Sequence, residues 1–176
     1  MKKTLEGNFF NPTRGNLSAE EVIEEMINYI REKPEMFYDI IVGCDSSSSE
    51  EPHFPVAVAI LRKGAGGRFF LKKVKYPADF NKRFVSWKNR VLQEILLSCE
   101  IALSLREKFE ERVEILKKRE KKKLHYQFQY IHADIGENGQ TKDMIRELIG
   151  LIRGNGFEPK IKPEAYVASI LADRYS

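Results

Sequence analysis

The chain has 176 residues, of which 42% are hydrophobic and 32% charged, which suits one domain with a full core and excludes a disordered tail or a membrane-embedded protein. Thirty basic residues stand against 26 acidic ones, a net charge of +4, which is compatible with a polyanionic partner without requiring one. Cys44 and Cys99 are the only cysteines, no apolar run is long enough to span a bilayer, and no apolar stretch follows Met1-Lys2-Lys3; neither a disulfide framework nor a thiolate zinc site is expected, and the expected compartment is the cytoplasm.

Residues 11–15 are turn-like, with Pro12 and Gly15. Ser18 followed by Glu21 is a capping box, and the helix it opens carries Val22, Ile23, Met26, Ile27 and Ile30 at helical spacing until Pro34 stops it. Residues 38–45 form the first expected strand, whose Ile40-Ile41-Val42 run suits burial on both faces. A second strand over 56–61 and a third over 69–76 flank a Gly-rich turn at 63–67 and make an antiparallel hairpin.

From 84 to 118 the period becomes helical, with Trp87, Val91, Ile95, Cys99, Ala102, Phe109, Val113 and Leu116 on one broad stripe. At about 1.5 Å per residue this helix is on the order of 50 Å long, so its far end is expected to project or bend. A fourth strand over 126–134 and a loop over 134–139 follow. Thr141 then caps a helix with Met144, Ile145, Leu148 and Ile152 on its apolar face. A fifth strand over 157–161 precedes a last helix from Pro163 to Arg174. A right-handed crossover sets the fourth strand parallel beside the first. The expected architecture is a single α/β domain over 1–176. It is a mixed five-stranded sheet of order 3-2-1-4-5, with helices on both faces and an extra N-terminal helix.

Asp45 ends the first strand and Asp134 the fourth. On neighbouring parallel strands both carboxylates emerge at the edge where open α/β sheets bind ligands. Two carboxylates held close repel unless a proton or cation lies between them, and ligands that are all oxygen favour magnesium or manganese. His132 shares a strand face with Asp134 by the two-residue alternation, placing it to shuttle a proton, touch phosphate or hydrogen-bond within the fold. Cys44 points away from Asp45 and reads as a small buried residue. Lys117, Lys118, Arg119, Lys121, Lys122 and Lys123 form a basic run. A solvated helix end complementing the macrodipole is its simpler reading, and contact with nucleic-acid phosphates the other.

Three blocks carry a resemblance: Ile40-Ile41-Val42-Gly43-Cys44-Asp45-Ser46, His132-Ala133-Asp134-Ile135-Gly136-Glu137-Asn138-Gly139 and Ala172-Asp173-Arg174-Tyr175, with residues 150–163 in support. The chain resembles, over nearly its whole length, the YkuK-like family of predicted ribonuclease-H-related proteins. Cys44 stands where that pattern leads one to expect Thr, and Ser47 where it leads one to expect Gln. The resemblance implies a ribonuclease-H-like fold and four carboxylates that bind Mg2+ or Mn2+ at Asp45, at Glu94 or Glu100, at Asp134 and at Asp173. Glu94 is preferred because it lies nearer the helix start; six residues separate it from Glu100, about 120° around the helix. Glu137 is an outer ligand or a helix cap.

The function implied is a metal-dependent nuclease that hydrolyses RNA, RNA–DNA hybrid or structured DNA by a two-metal mechanism. The alternative is a non-catalytic nucleic-acid-binding or scaffold module that retains the fold. Phosphotransfer on nucleotides is a third reading, and the chain lacks the Gly-rich phosphate loop that it needs.

Overall fold

The computed structural model describes residues 5–47, 53–77, 79, 82–120, 123–136 and 141–167. The first departure from expectation is at the N-terminus. Two short strands, β1 (Phe9–Asn11) and β2 (Gly15–Leu17), pair antiparallel around what the sequence suggested was only a turn. Asn11 builds that turn, its Oδ1 accepting from the backbone N–H of Thr13 at 3.0 Å and of Arg14 at 2.9 Å. Gly15 leaves it at a φ of 76°, open to glycine at little cost.

Helix α1 (Ala19–Glu32) begins at the capping box read from the sequence. Ser18 Oγ accepts from Glu21 N–H at 3.2 Å, and Glu21 Oε2 accepts from Ser18 N–H at 2.7 Å. Ser18→Ala removes one acceptor and is expected to lower stability by about 1 kcal/mol in urea unfolding. An unchanged midpoint would show that packing alone holds this end of the helix.

Strands β3 (Tyr38–Cys44), β4 (Phe54–Arg62) and β5 (Gly67–Val74) form an antiparallel meander. A 3-10 turn at Lys82–Val85 leads into the long helix α2 (Trp87–Glu120). Strand β6 (Tyr126–Ala133) returns parallel to β3, and helix α3 (Ile145–Gly154) leads to β7 (Glu158–Lys160), parallel to β6. The sheet order is β2-β1-β5-β4-β3-β6-β7. The expected five-stranded sheet is thus corrected to seven strands. The five segments foreseen are consecutive in it, and the N-terminal hairpin extends it beyond β5 through pairing of Phe10 with Leu71.

Alternation along the strands sorts the core. Tyr38, Ile40, Val42 and Cys44 of β3 and Phe54, Val56, Val58 and Ile60 of β4 face α1, α2 and α3, with Met26, Ile30, Ile101, Leu105, Phe109 and Leu148 against them. Ile41, Ala57, Ala59 and Leu71 face the other way, where Val167 covers them. Helices on both faces were expected, whereas the described helices share one face. The helix expected from Pro163 does not begin there. Pro163 lies in a turn closed by Glu164 N–H on the Ile161 carbonyl at 2.8 Å, and helical geometry starts at Val167.

The far end of α2 does not project. Lys108–Glu20 at 2.5 Å, Arg112–Glu24 at 2.6 Å and Arg31–Glu120 at 2.6 Å fasten it along α1. Each such exposed pair contributes little, and burial of Phe109 and Val113 in the core holds the helix against the body of the protein. Among the described residues, no helix is long and apolar enough to cross a membrane.

Candidate metal centre

Strand register brings the two aspartates together. Cys44 pairs with Ala133 across the parallel β3–β6 ladder, so Asp45 and Asp134, the next residue on each chain, leave the same edge of the sheet side by side. Their backbones are one strand spacing apart, about 5 Å. The two share a face because of an irregularity in β6. Between the pairs Asp39–Gln127 and Ile41–Tyr130 the chain advances two residues on β3 but three on β6. Tyr126 and Phe128 face the helices before this bulge, as do Ile131 and Ala133 after it, which turns His132 and Asp134 to the opposite side, as Asp45 is.

Glu94 comes to the aspartates from α2. It is only 8% exposed, and its Oε1 accepts from Ser46 N–H at 3.0 Å and Ser46 Oγ at 2.5 Å. Burial pushes its carboxyl up to about 7. The hydrogen bonds from Ser46 oppose that rise, and the negative charges of Asp45 and Asp134 add to it. Glu100, half-buried two turns along, acts instead on the Tyr76 hydroxyl, whose pKa is raised first by burial and then by the Glu100 charge. The charges of Asp45 and Asp134 thus reach Glu94.

Asp134 Oδ1 is buried and accepts no hydrogen bond, yet Lys162 Nζ lies 3.0 Å from it. The contact is an ion pair without a directed hydrogen bond. Lys162 is held there by its own N–H, which donates to the Ile135 carbonyl at 2.9 Å. Among the described residues no three His, Cys, Asp or Glu side chains are arranged around a single point as the ligands of one ion. The donor chemistry nevertheless fits a hard divalent cation. Asp45 and Asp134 lie side by side and their charges act on Glu94, which holds its proton near neutrality, and Asp134 Oδ1 accepts no hydrogen bond; a bound cation would relieve both conditions.

His132 has another task. It is 3% exposed, its Nδ1 accepts from Val167 N–H at 3.3 Å, and its ring meets Tyr166 edge-on at 5.1 Å. Burial pushes its imidazole down to about 4, Lys160 adding to the fall and Glu164 opposing it. A ring that accepts at Nδ1 carries its proton on Nε2 and stays neutral. His132 thus fastens the segment after β7 to β6. Cys44 is buried as expected, its thiol raised well above its ordinary value by burial and then by Glu94 and Asp45.

Asp173, Glu137, Lys121 and Lys122 lie outside the described residues. The rest of the basic run is not brought to this site. Lys117, Lys118 and Arg119 are in the last turn of α2, Lys117 paired with Glu114 at 2.6 Å. Lys117 is 23 residues beyond Glu94, about 35 Å along the helix axis.

A family profile described as Ribonuclease H-like matches residues 21–176. The uncharacterized protein YkuK of Bacillus subtilis (strain 168) is 26% identical over 170 residues, covering 96% of each chain. No solved structure gives a significant match.

Proposed function

From the premise that the chain belongs to the ribonuclease H-like family, we propose that it is a metal-dependent nuclease hydrolysing phosphodiester bonds in RNA, RNA–DNA hybrid or structured DNA. The observation that carries this reading is the buried Oδ1 of Asp134 beside Asp45, which accepts no hydrogen bond and meets the Lys162 ammonium at 3.0 Å, with Glu94 driven to about 7 by burial and by the two aspartate charges.

Asp45, Asp134 and Glu94 are the residues that hold Mg2+ or Mn2+, and Asp173 is proposed as a fourth ligand. When bound, the metal supplies a water of lowered pKa and neutralises charge on the leaving oxygen. The chain's own residues prepare the site. Ser46 fixes one oxygen of Glu94 through two hydrogen bonds, so the carboxyl does not reorient as it gives up its proton. Lys162 balances the charge of Asp134, whose Oδ1 would be a ligand to a bound cation. In the overall step a bond forms from water oxygen to phosphorus, the bond from phosphorus to the leaving sugar oxygen breaks, and the water proton ends on the leaving oxygen or in solvent.

The Lys162–Asp134 contact also favours a second reading, a nucleic-acid-binding module that kept the fold with the ammonium in place of a metal. Incubating the purified protein with RNA, RNA–DNA hybrid and structured DNA in Mg2+ or Mn2+ separates the two. Cleavage that chelator abolishes supports the nuclease. Binding without cleavage, with no stabilisation by either metal, supports the module.

A further inference from the structure

The geometry points to a phosphate-binding rim formed by Lys73, Lys75, Lys82, Lys88 and Arg90, along which the nucleic-acid backbone lies as it enters the carboxylate site. This inference rests on the nucleic-acid reading above and names the surface that serves it.

Residues 72–90 hold seven basic residues and one acid, Asp79, in a chain whose charges otherwise nearly balance. Strand register sets the first of them beside the site. Cys44 pairs with Val56 and Pro55 with Lys73, so the next step of the ladder puts Asp45 level with Pro55 and Lys73. Lys73 is therefore two strand spacings from Asp45, about 10 Å, on the same edge and by alternation on the same face. Arg90 is about one helical turn before Glu94, and Lys88, as far before it as Glu100 is after it, nearly two turns. The 3-10 turn with Lys82 is fastened to α2 by Asn89 Nδ2 donating to the Arg83 carbonyl at 2.8 Å and Arg90 Nη1 to the Phe84 carbonyl at 3.0 Å. Phe84 anchors it in turn, packing edge-on against Phe54 at 5.0 Å.

Among the described residues the rim's cations lack carboxylate partners, as Lys118, Arg119 and Lys123 also do, so it is position beside Asp45 and Glu94 that sets the rim apart. Lys108, Arg112, Lys117, Lys160, Arg31 and Arg68 each meet a carboxylate. Lys73, Lys75, Lys82, Lys88 and Arg90 meet none among the described residues, and Lys73, Lys75, Lys82 and Lys88 are exposed. A phosphodiester chain lying along the carboxylate edge would give these cations anionic partners. Val85, 76% exposed between Arg83 and Trp87, and the ring of Trp87 with Lys88 Nζ 5.8 Å from its centre add apolar surface for sugars and bases.

The test is equilibrium binding in chelator, where cleavage plays no part. The probe is a fluorescein-labelled RNA–DNA hybrid of about 30 base pairs, long enough at roughly 3.4 Å per pair to reach both basic regions. The triple variant Lys73→Ala, Lys82→Ala, Lys88→Ala is expected to bind at least tenfold more weakly and to lower the slope of log affinity against log salt by about 3. The variant with Lys117, Lys118 and Lys123 replaced by Ala keeps the wild-type slope. Circular dichroism and urea melts confirm that each variant folds. An unchanged slope in the triple variant overturns the rim, as does a loss confined to the Lys117–Lys123 variant. Wild type that ignores the hybrid but co-floats with phosphatidylserine vesicles overturns it in favour of a membrane surface. A wild type that cleaves with metal while the triple variant binds normally removes the rim and leaves the nuclease.

Discussion

Asp45→Asn is expected to abolish metal-dependent cleavage, by well over 100-fold, while leaving the fold intact and the metal-free protein slightly more stable. The substitution keeps the shape of the side chain and removes its charge. Losing a group that merely supports a ligand costs roughly 10–100-fold in metal affinity or activity, so losing a ligand itself costs more. In the metal-free protein the same charge raises the pKa of Glu94 and of the Cys44 thiol, a sign that it is unfavourable there. Removing it is expected to contribute on the order of 1 kcal/mol. Thermal melts in chelator and in Mn2+, beside cleavage assays on identically purified proteins, measure both effects. An Asn variant stabilised by Mn2+ as much as wild type would show that Asp45 holds no metal.

The second large effect is on Glu94. Its folded carboxyl titrates near 7, above the ordinary 4.5. Between those values the unfolded chain has released the proton and the folded chain retains it, so stability falls as pH rises through this window. Above about pH 7 the buried charge costs roughly 2–3 kcal/mol. Glu94→Gln keeps an acceptor for Ser46 and removes the titration. It is expected to gain that amount at pH 8 without metal, and to match wild type below pH 4.

His132 runs in the opposite sense. Its folded value of about 4 lies below the ordinary 6.5. Its stabilising contribution is present above pH 6.5 and is lost as pH falls through 4. The two slopes oppose between pH 4.5 and 6.5, leaving wild-type stability nearly flat there. Glu94→Gln uncovers the slope of His132, so stability of the variant should climb with pH across that window. Urea unfolding at pH 4.5, 6 and 8 tests this, and equal stability of variant and wild type at pH 8 would rule out a buried charged Glu94.

Much of this architecture was legible because it obeys short-range rules. The strand at Ile40-Ile41-Val42, the Gly-rich hairpin, the Ser18–Glu21 box and the paired positions of Asp45 and Asp134 follow from periodicity and turn chemistry. What was hidden depends on contacts distant in sequence. The β1–β2 hairpin consists of three-residue strands, too short for any period, and it is a strand pair because Asn11 makes the turn and Phe10 finds Leu71. Pro163 reads as a helix start in isolation, yet here it forms a turn that sets Lys162 against Asp134. The basic run at 117–123 was conspicuous because it is contiguous, while the cations around the site are dispersed over 73–90 and meet only through strand register and the first turns of α2.

The additional residue in the middle of β6 acts as a phase shifter. Upstream of it, odd-numbered positions look away from the helices; downstream, even-numbered ones do. Were β6 to run regularly through Gln129, with one residue opposite each residue of β3, Asp134 would turn into the space between sheet and α2 and Ala133 would stand level with Asp45. The chemistry of the edge is thus set five residues before it is reached, by an exposed glutamine that touches neither aspartate.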